Sequence, residues 1–368
     1  MNRVFVAAVL TALVGAAWSI TALQPSGTRT IETIKLGRLL FFDKRLSVDG
    51  TVSCATCHDP AAAFASTDSV TVGVNNQKGT RNAPTLLNSA LSKSYFWDGR
   101  AGTLEEQAKQ PLLSDSEMGL KTEAALVERI TGIPEYRRRF RSVFPREGIT
   151  LATVAQAIAA YERTLVSRNS PFDRFLAGDG KAISDLQKQG WELFKGKAKC
   201  VDCHLHSSAS PTFSDDKFHN TGIRGKDLSF ETLAQRAEEL LVQSKEAPLD
   251  VTVLAHNPQF SDLGRFLITT KPQDIGAFKT PTLRDIELTG PYMHDGSLRT
   301  LLDVVRFYNQ GGAKNPRLDE KMTSLNLSEE EMSAVVEFLR ALTSDEVLRL
   351  VQSSKPQTRN NFHTSPDQ

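Results

Sequence analysis

The chain has 368 residues, of which 40% are hydrophobic and 24% are charged, so it is long enough for two ordinary domains with cores. Its 44 Lys and Arg residues balance 43 Asp and Glu residues and are spread along the chain. This pattern excludes nucleic acid as a partner, and the composition is not that of a disordered or collagen-like protein.

Residues 1–23 have the form of a secretory signal. Arg3 precedes an apolar run from Val4 to Leu23 that ends in small residues. An uncleaved anchor is the alternative, because the run approaches the roughly 20 residues that span a bilayer. Both interpretations place the body of the protein outside the cytoplasm.

The motif C-x-x-C-H occurs twice, as CATCH and as CVDCH. It is the attachment signature of c-type haem, in which two thiols form thioethers to the haem vinyl groups and the adjacent histidine binds the iron. Two disulfides, a thioredoxin-like pair and a zinc site are the alternatives. The repetition, with no cysteine left over, predicts two covalent haems, bound by Cys54, Cys57 and His58 and by Cys200, Cys203 and His204.

Helix capping patterns recur along the chain, and FETLAQRAEELLVQ in the second half also has a helical pattern. The predicted capping residues are Thr150, Ser184 with Gln187, Thr300 with Asp303, and Ser328 with Glu331. Alternating runs that predict strands are scarce. We therefore expect a mainly α fold.

The duplicated motif predicts two cytochrome-c-like domains, each with one covalent c-type haem. A cluster of Gly and Asp within residues 170–184 marks the boundary, which gives domains over 24–180 and 181–345. Residues 346–368 are predicted to be a disordered tail, because the end of the chain lacks apolar side chains.

The remaining histidines bear on the class of haem protein. A haem that only carries electrons has both axial positions filled, whereas one that reacts with peroxide leaves one position open. His206 is too close to its own motif to reach the iron, and His363 lies in the tail. His219 and His256 are predicted to be polar loop or core histidines, and His294 to lie in a loop beside a haem edge.

The segments CATCHDPAAAF, RNAPTLLNSA, YFWDGRAGTLEEQAKQPLLSDSEMG, CVDCH and FKTPTLRDIELTGPYMHDGSLRTLLDVVRFYNQGG follow one another from about Gly37 to Leu342. In order and spacing they resemble the bacterial di-haem cytochrome c peroxidase family. The resemblance implies an exported periplasmic enzyme that reduces hydrogen peroxide with two haems. It also implies a small redox protein or a protein substrate as partner, and a homodimer stays open.

The resemblance makes the first haem, with proximal ligand His58, the peroxidatic one. Its distal pocket then holds Gln107, Pro111 and Glu117. A carboxylate in an apolar pocket suits the transfer of a proton between the two oxygens of peroxide. Without the resemblance, Glu117 would be an exposed loop acid. Many family members carry a distal histidine at the place of Val74, so we expect an open iron here.

The resemblance also assigns Trp97 to the electron path between the haems, where a core aromatic residue is the alternative. The second haem has His204 as proximal ligand, and the usual axial methionine is replaced by Tyr308, fourteen residues after His294. Met293 precedes His294 and is not the equivalent residue. Tyrosine at this place resembles the MauG-like subgroup, whereas a core tyrosine bonded to a buried acceptor is the alternative.

Two further expectations follow from the resemblance. A calcium ion between the domains is implied, with ligands from Asn82, Thr289 and Pro291. Ala198 stands where the MauG-like subgroup has a surface tryptophan that conducts oxidation to its protein substrate, which predicts a different substrate. There are two competing hypotheses. One is an ordinary peroxidase that uses reduced cytochrome c or a cupredoxin, and the other is a non-catalytic di-haem electron carrier.

Overall fold

The computed structural model describes residues 28–207, 211–224, 230–243 and 251–354. The predicted signal, His363 and residues 355–368 of the predicted tail lie outside the described residues. Among the described helices, none combines the length and apolar character needed to cross a bilayer. The described part of the chain is mainly α, as predicted.

The first half is built on the crossing of its first and last helices. α1 and α3 both pack against α6. A Cβ atom on Gly37 of α1 would lie 1.7 Å from the carbonyl oxygen of Ala157 in α6, so only glycine lets the two backbones approach this closely. The helices are α1 (Thr28–Phe42), α2 (Cys54–Cys57), α3 (Leu104–Leu113), α4 (Glu123–Thr131), α5 (Pro134–Val143) and α6 (Leu151–Glu162).

The second half repeats this construction. α8 packs against α13, and a Cβ atom on Gly190 of α8 would lie 1.9 Å from the carbonyl oxygen of Ala334 in α13. In both halves the haem motif lies between the two crossing helices along the chain. The helices are α7 (Pro171–Leu176), α8 (Asp185–Lys195), α9 (Phe230–Gln243), α10 (Val251–Ala255), α11 (Phe266–Thr269), α12 (Leu301–Asn309), α13 (Glu329–Arg340) and α14 (Asp345–Ser354).

The predicted caps are confirmed. The side chains of Thr150, Ser184, Thr300 and Ser328 each accept a hydrogen bond from a backbone N–H in the first turn of their helix. The helix predicted over FETLAQRAEELLVQ is α9. It shares a small separate core with α10 and α11, which includes Phe230, Leu254 and Phe266.

A two-stranded antiparallel sheet joins β1 (Phe218–His219) to β2 (Phe278–Lys279), with Phe218 opposite Lys279. The backbone N–H of Lys279 also donates to the carbonyl of Trp97, 2.8 Å away. The sheet therefore connects the second half of the chain directly to the first.

Two predicted boundaries differ from the packing. Phe172 of α7 belongs to the core of the second half, although it precedes the predicted boundary at residue 180. The predicted disordered tail is wrong for residues 346–354, which belong to α14. Val347 and Val351 of this helix are buried in the core of the first half, because its apolar residues recur at helical spacing.

Candidate active site

A cavity of about 390 Å³ lies where the two halves meet. Its wall contains nearly all the residues predicted for the site, which the fold therefore brings together. They are the two C-x-x-C-H motifs, Asn82, Trp97, Gln107, Pro111, Glu117, Thr289, Pro291 and Tyr308.

The cysteines fit neither a disulfide nor a zinc site. All four are free thiols. Among the described residues, the only grouping of three potential metal ligands of the His, Cys, Asp and Glu types is Cys203 with Asp215 and His219, which uses a single cysteine. Burial raises the pKa of Cys57 to about 11 and that of Cys200 to about 12, as expected for thiols inside an apolar cavity.

The two motif histidines have Nδ1 directed at backbone carbonyl oxygens. Nδ1 of His58 lies 3.2 Å from the carbonyl oxygen of Phe64 and 3.1 Å from that of Pro84, and Nδ1 of His204 lies 2.8 Å from that of Phe213. Each Nδ1–H therefore donates to the backbone, which leaves Nε2 as the metal-binding atom. Burial lowers the pKa of both rings, which keeps them neutral, and so the residues fit two c-type haems.

The pocket beside the first motif contains a carboxylate oxygen without a partner. α3 contributes Gln107 and Pro111, and the turn after α3 contributes Glu117. Oε2 of Glu117 is buried and accepts no hydrogen bond from any described residue. A buried carboxylate oxygen is costly unless it finds a hydrogen-bond donor, so it is suited to accept a proton from a substrate.

The backbone of Val74 is hydrogen-bonded to the backbone of Glu117. Its N–H donates to the carbonyl oxygen of Glu117, 2.9 Å away, and its side chain is buried in the core of the first half. A Cβ atom on the neighbouring Gly73 would lie 2.0 Å from the carbonyl oxygen of Ser116, so the two loops are in close contact. The place of the family's distal histidine is therefore filled by an apolar side chain that points into the core.

His256 also reaches this pocket, although the sequence analysis gave it no role. It follows α10, and its Nε2 lies 3.9 Å from Oε2 of Glu117. No local pattern marks it, because it is near Glu117 only through the packing of α10 against the first half. His219 is a structural histidine, as predicted, bonded to Asp215 at 2.9 Å and to Asp319 at 2.6 Å.

Trp97 lies at the junction of the two halves. Its Nε1–H donates to the carbonyl oxygen of Asn82 at 2.9 Å. Its indole meets the ring of His294 edge to face, with centroids 6.5 Å apart, and His294 stacks on Phe278 at 3.6 Å. His294 is fixed by a 3.1 Å contact with Asp262. Trp97 is thus part of the cavity wall and is in contact with both halves.

A buried ion triad lies next to Trp97. The carboxylate of Asp98 is fully buried and bonds Arg81 at 2.6 Å and Arg100 at 3.0 Å. Burial alone would raise the pKa of Asp98, but the two guanidinium groups outweigh it and hold the pKa below its usual value. Asp98 and Arg100 belong to the W-D-G-R block, which carries part of the family resemblance. The triad could not be predicted from this block, because Arg81 is distant along the chain.

Tyr308 faces the cavity near the second motif from the last turn of α12. No described residue accepts a hydrogen bond from its hydroxyl, so the alternative of a core tyrosine with a buried acceptor lacks that acceptor. Burial raises the pKa of the phenol. Met293 and Met322 line the cavity as well.

The remaining predicted residues lie as follows. Nδ2 of Asn82 donates to the carbonyl oxygen of Asp68 at 2.9 Å, which leaves Oδ1 as the oxygen available to a cation. Ala198 is buried. Trp191 packs in the aromatic core of the second half against Phe338, with ring centroids 5.1 Å apart.

Comparison with known proteins identifies relatives of this chain. Residues 31–181 match the family model described as di-haem cytochrome c peroxidase. The chain is 38% identical over 319 residues to a methylamine utilization protein MauG of Methylophilus methylotrophus, covering 86% of this chain and 84% of that one. It is also 38% identical over 366 residues to a cytochrome-c peroxidase, IdrP2, of Denitromonas iodatirespirans, covering 96% of this chain and 92% of that one.

A solved structure shares the fold. A MauG-like protein associated with microbial copper homeostasis superposes with a TM-score of 0.70 at 31% identity, covering 88% of this chain and 92% of the other. Relatives named cytochrome-c peroxidases identify an enzyme family and not a family of non-catalytic electron carriers. The chain belongs to the di-haem cytochrome c peroxidase family, as an oxidoreductase that carries c-type haem and reduces hydrogen peroxide.

Proposed function

We propose that the first haem centre, held by Cys54, Cys57 and His58, is the peroxidatic one. The haem supplies an iron that activates peroxide. The observation that carries the proposal is the buried Oε2 of Glu117, which faces the same cavity and has no hydrogen-bond partner among the described residues. Glu117 takes a proton from one oxygen of hydrogen peroxide and returns it to the other, which leaves as water.

The neighbouring side chains support this role of Glu117. The amide of Gln107 can donate a hydrogen bond to peroxide, and Pro111 keeps the wall apolar. Val74 lies in the core, so no side chain from its position competes with peroxide for the iron. The centre therefore accepts peroxide without a preceding reductive step.

The second centre, held by Cys200, Cys203 and His204, has Tyr308 as its other axial ligand in our proposal. A tyrosine oxygen stabilises ferric and higher states, whereas a methionine thioether favours the reduced state. With Tyr308 as a ligand, a haem bound by Cys200, Cys203 and His204 would supply a store of oxidising equivalents, and Trp97 would connect it to the first centre. This is the MauG-like form of the reaction.

The partner in this proposal is a protein or small molecule that is oxidised at the surface of the second half. The buried Ala198 supports a route different from that of a protein with a surface tryptophan at this place. The ordinary reaction, in which reduced cytochrome c or a cupredoxin feeds the second haem, is the second candidate. The relatives named cytochrome-c peroxidase favour it.

The proposal includes a periplasmic location. It also includes a calcium ion bound by Asn82, Thr289 and Pro291. All three residues line the cavity between the halves, and their neutral oxygens suit a hard cation that keeps part of its water shell.

The test is to add one equivalent of peroxide to the resting ferric protein and to follow the absorption and EPR spectra. We expect a high-spin ferric signal before peroxide, and afterwards an oxidised form that persists. Tyr308→Met should abolish this persistence. Rapid turnover of wild type with reduced cytochrome c, or unchanged behaviour of Tyr308→Met, would favour the second candidate.

Two control variants distinguish loss of the proposed ligand Tyr308 from a general change in the cavity wall. Tyr292→Phe removes a hydroxyl from another tyrosine of the cavity, whose hydroxyl already donates to the carbonyl oxygen of Ile286 at 3.0 Å. Met322→Leu removes a thioether from the same wall. Neither should change the spectrum of the second haem. A change in Met322→Leu but not in Tyr308→Phe would identify a methionine ligand instead.

A further inference from the structure

His256 is oriented toward Glu117 by its own helix. Its Nδ1 lies 2.8 Å from the carbonyl oxygen of Thr252, one turn earlier, so the Nδ1–H donates there. Nε2 is then the ring atom that faces the cavity, 3.9 Å from Oε2 of Glu117. This carboxylate oxygen has no hydrogen-bond partner among the described residues, so it can accept a proton from Nε2.

The backbone at His256 is held in place by the packing of the residues before it. Leu254 and Ala255, which immediately precede it, are buried in the small core shared with α9 and α11. The hydroxyl of Thr80 donates to the carbonyl oxygen of Ala255 at 2.9 Å, which attaches the end of α10 to the first half. The second half of the chain thus supplies a titratable group to the pocket of the first haem.

We propose that His256 delivers protons to Glu117 during peroxide reduction. This inference rests on the proposed function of Glu117. Cleavage of peroxide moves one proton from one oxygen to the other and releases the first water. Release of the remaining oxygen as a second water consumes two protons and two electrons. The two electrons come from the partner that is oxidised. The two protons come from solvent one at a time, and each passes through Nε2 of His256 to Glu117 and then to the oxygen.

Other charged groups around the pair do not replace this route. Arg100 and Cys57 also interact electrostatically with Glu117. Arg100 is held by two contacts to Asp98 and cannot release its proton at ordinary pH. The sulfur of Cys57 is a thioether in the haem-loaded protein and carries no proton. The imidazole of His256 differs from both, because this kind of side chain can take up a proton and pass it on.

The test uses the haem-loaded protein in a double-mixing experiment, with one equivalent of peroxide first and ascorbate second. In the first phase the protein is oxidised, and in the second it returns to the resting state. We expect Glu117→Gln to slow the first phase by about a hundredfold or more. His256→Gln should slow only the second phase, by roughly tenfold.

The pH profile and a double variant exclude a merely structural effect. We expect the second phase of wild type to slow as pH rises, and His256→Gln should lack this dependence. In the Glu117→Gln background, His256→Gln should have no further effect, because the acceptor is gone. Gln259→Ala, an exposed neighbour on the same segment, should behave as wild type.

The outcomes of the two proposals are distinguishable. If Glu117→Gln leaves the first phase unchanged, the proposed role of Glu117 fails. If Glu117→Gln is slow but His256→Gln matches wild type in the second phase, or the two substitutions act additively, the proton route through His256 is refuted and the role of Glu117 is not.

Discussion

The substitution Asp98→Asn tests the buried triad beside Trp97. The Asp98 carboxylate is fully buried, and the side chains of Arg81 and Arg100 are only 9% and 6% exposed. Asparagine has nearly the same shape but no charge, so two guanidinium groups lose their counter-ion inside the protein. Breaking a buried pair in this way costs about 3–5 kcal/mol.

The assay is urea unfolding of the haem-loaded protein, followed by circular dichroism. At a slope of about 3 kcal/mol per M, a loss of about 3 kcal/mol lowers the midpoint by about 1 M. The pKa of Asp98 is lowered in the folded state, so its contribution is present above the usual pKa of an aspartate and is lost as pH falls through the folded pKa. The difference between wild type and Asp98→Asn should therefore shrink in acid.

Glu105→Gln is the matched control. Glu105 pairs with Arg163 at 2.6 Å, but both side chains are partly exposed, at 28% and 45%. Exposed pairs contribute at most about 1 kcal/mol, so this variant should stay close to wild type. Equal effects of Asp98→Asn and Glu105→Gln, or a difference from wild type that grows in acid, would refute the reasoning.

Two further variants probe the helix crossing and a buried acid. Gly190→Ala should destabilise the second half by about 1–3 kcal/mol or more, because its Cβ meets a backbone carbonyl, and Gly180→Ala, which faces open space, should be neutral in the same unfolding assay. Burial raises the pKa of Glu162 from 4.5 to about 8, so its contribution to stability is lost as pH rises through that range. Glu162→Gln should thus gain stability relative to wild type between about pH 5 and 8, and a constant difference would contradict this.

Local signals carried most of what the sequence could predict. The C-x-x-C-H motifs place three functional residues within five positions, and the capping boxes at Ser184 and Ser328 involve residues three positions apart. Such patterns depend on neighbours along the chain, and the structure shows those caps formed. The positions of Glu117 and Tyr308 came from the resemblance, since nothing around them indicates a cavity.

The features that were missed depend on contacts between distant segments. His256 is close to Glu117 because α10 packs on the first half, and Arg81 completes the triad from a loop well before Asp98. Periodicity contains no information about such pairs. The prediction of a disordered tail over residues 346–354 failed for a different reason. The polar residues that follow dominate the composition of this end of the chain, so the short amphipathic helix was not recognised.

The placement of α14 has a consequence for biosynthesis. Val347 and Val351 fill the core of the first half, and the helix rests on the turn Pro60–Ala62 that follows the first haem motif. A ribosome makes these residues after both haem motifs, so the first half cannot finish folding as an early, independent unit. The core behind the first haem motif is therefore completed only after both motifs have been synthesised.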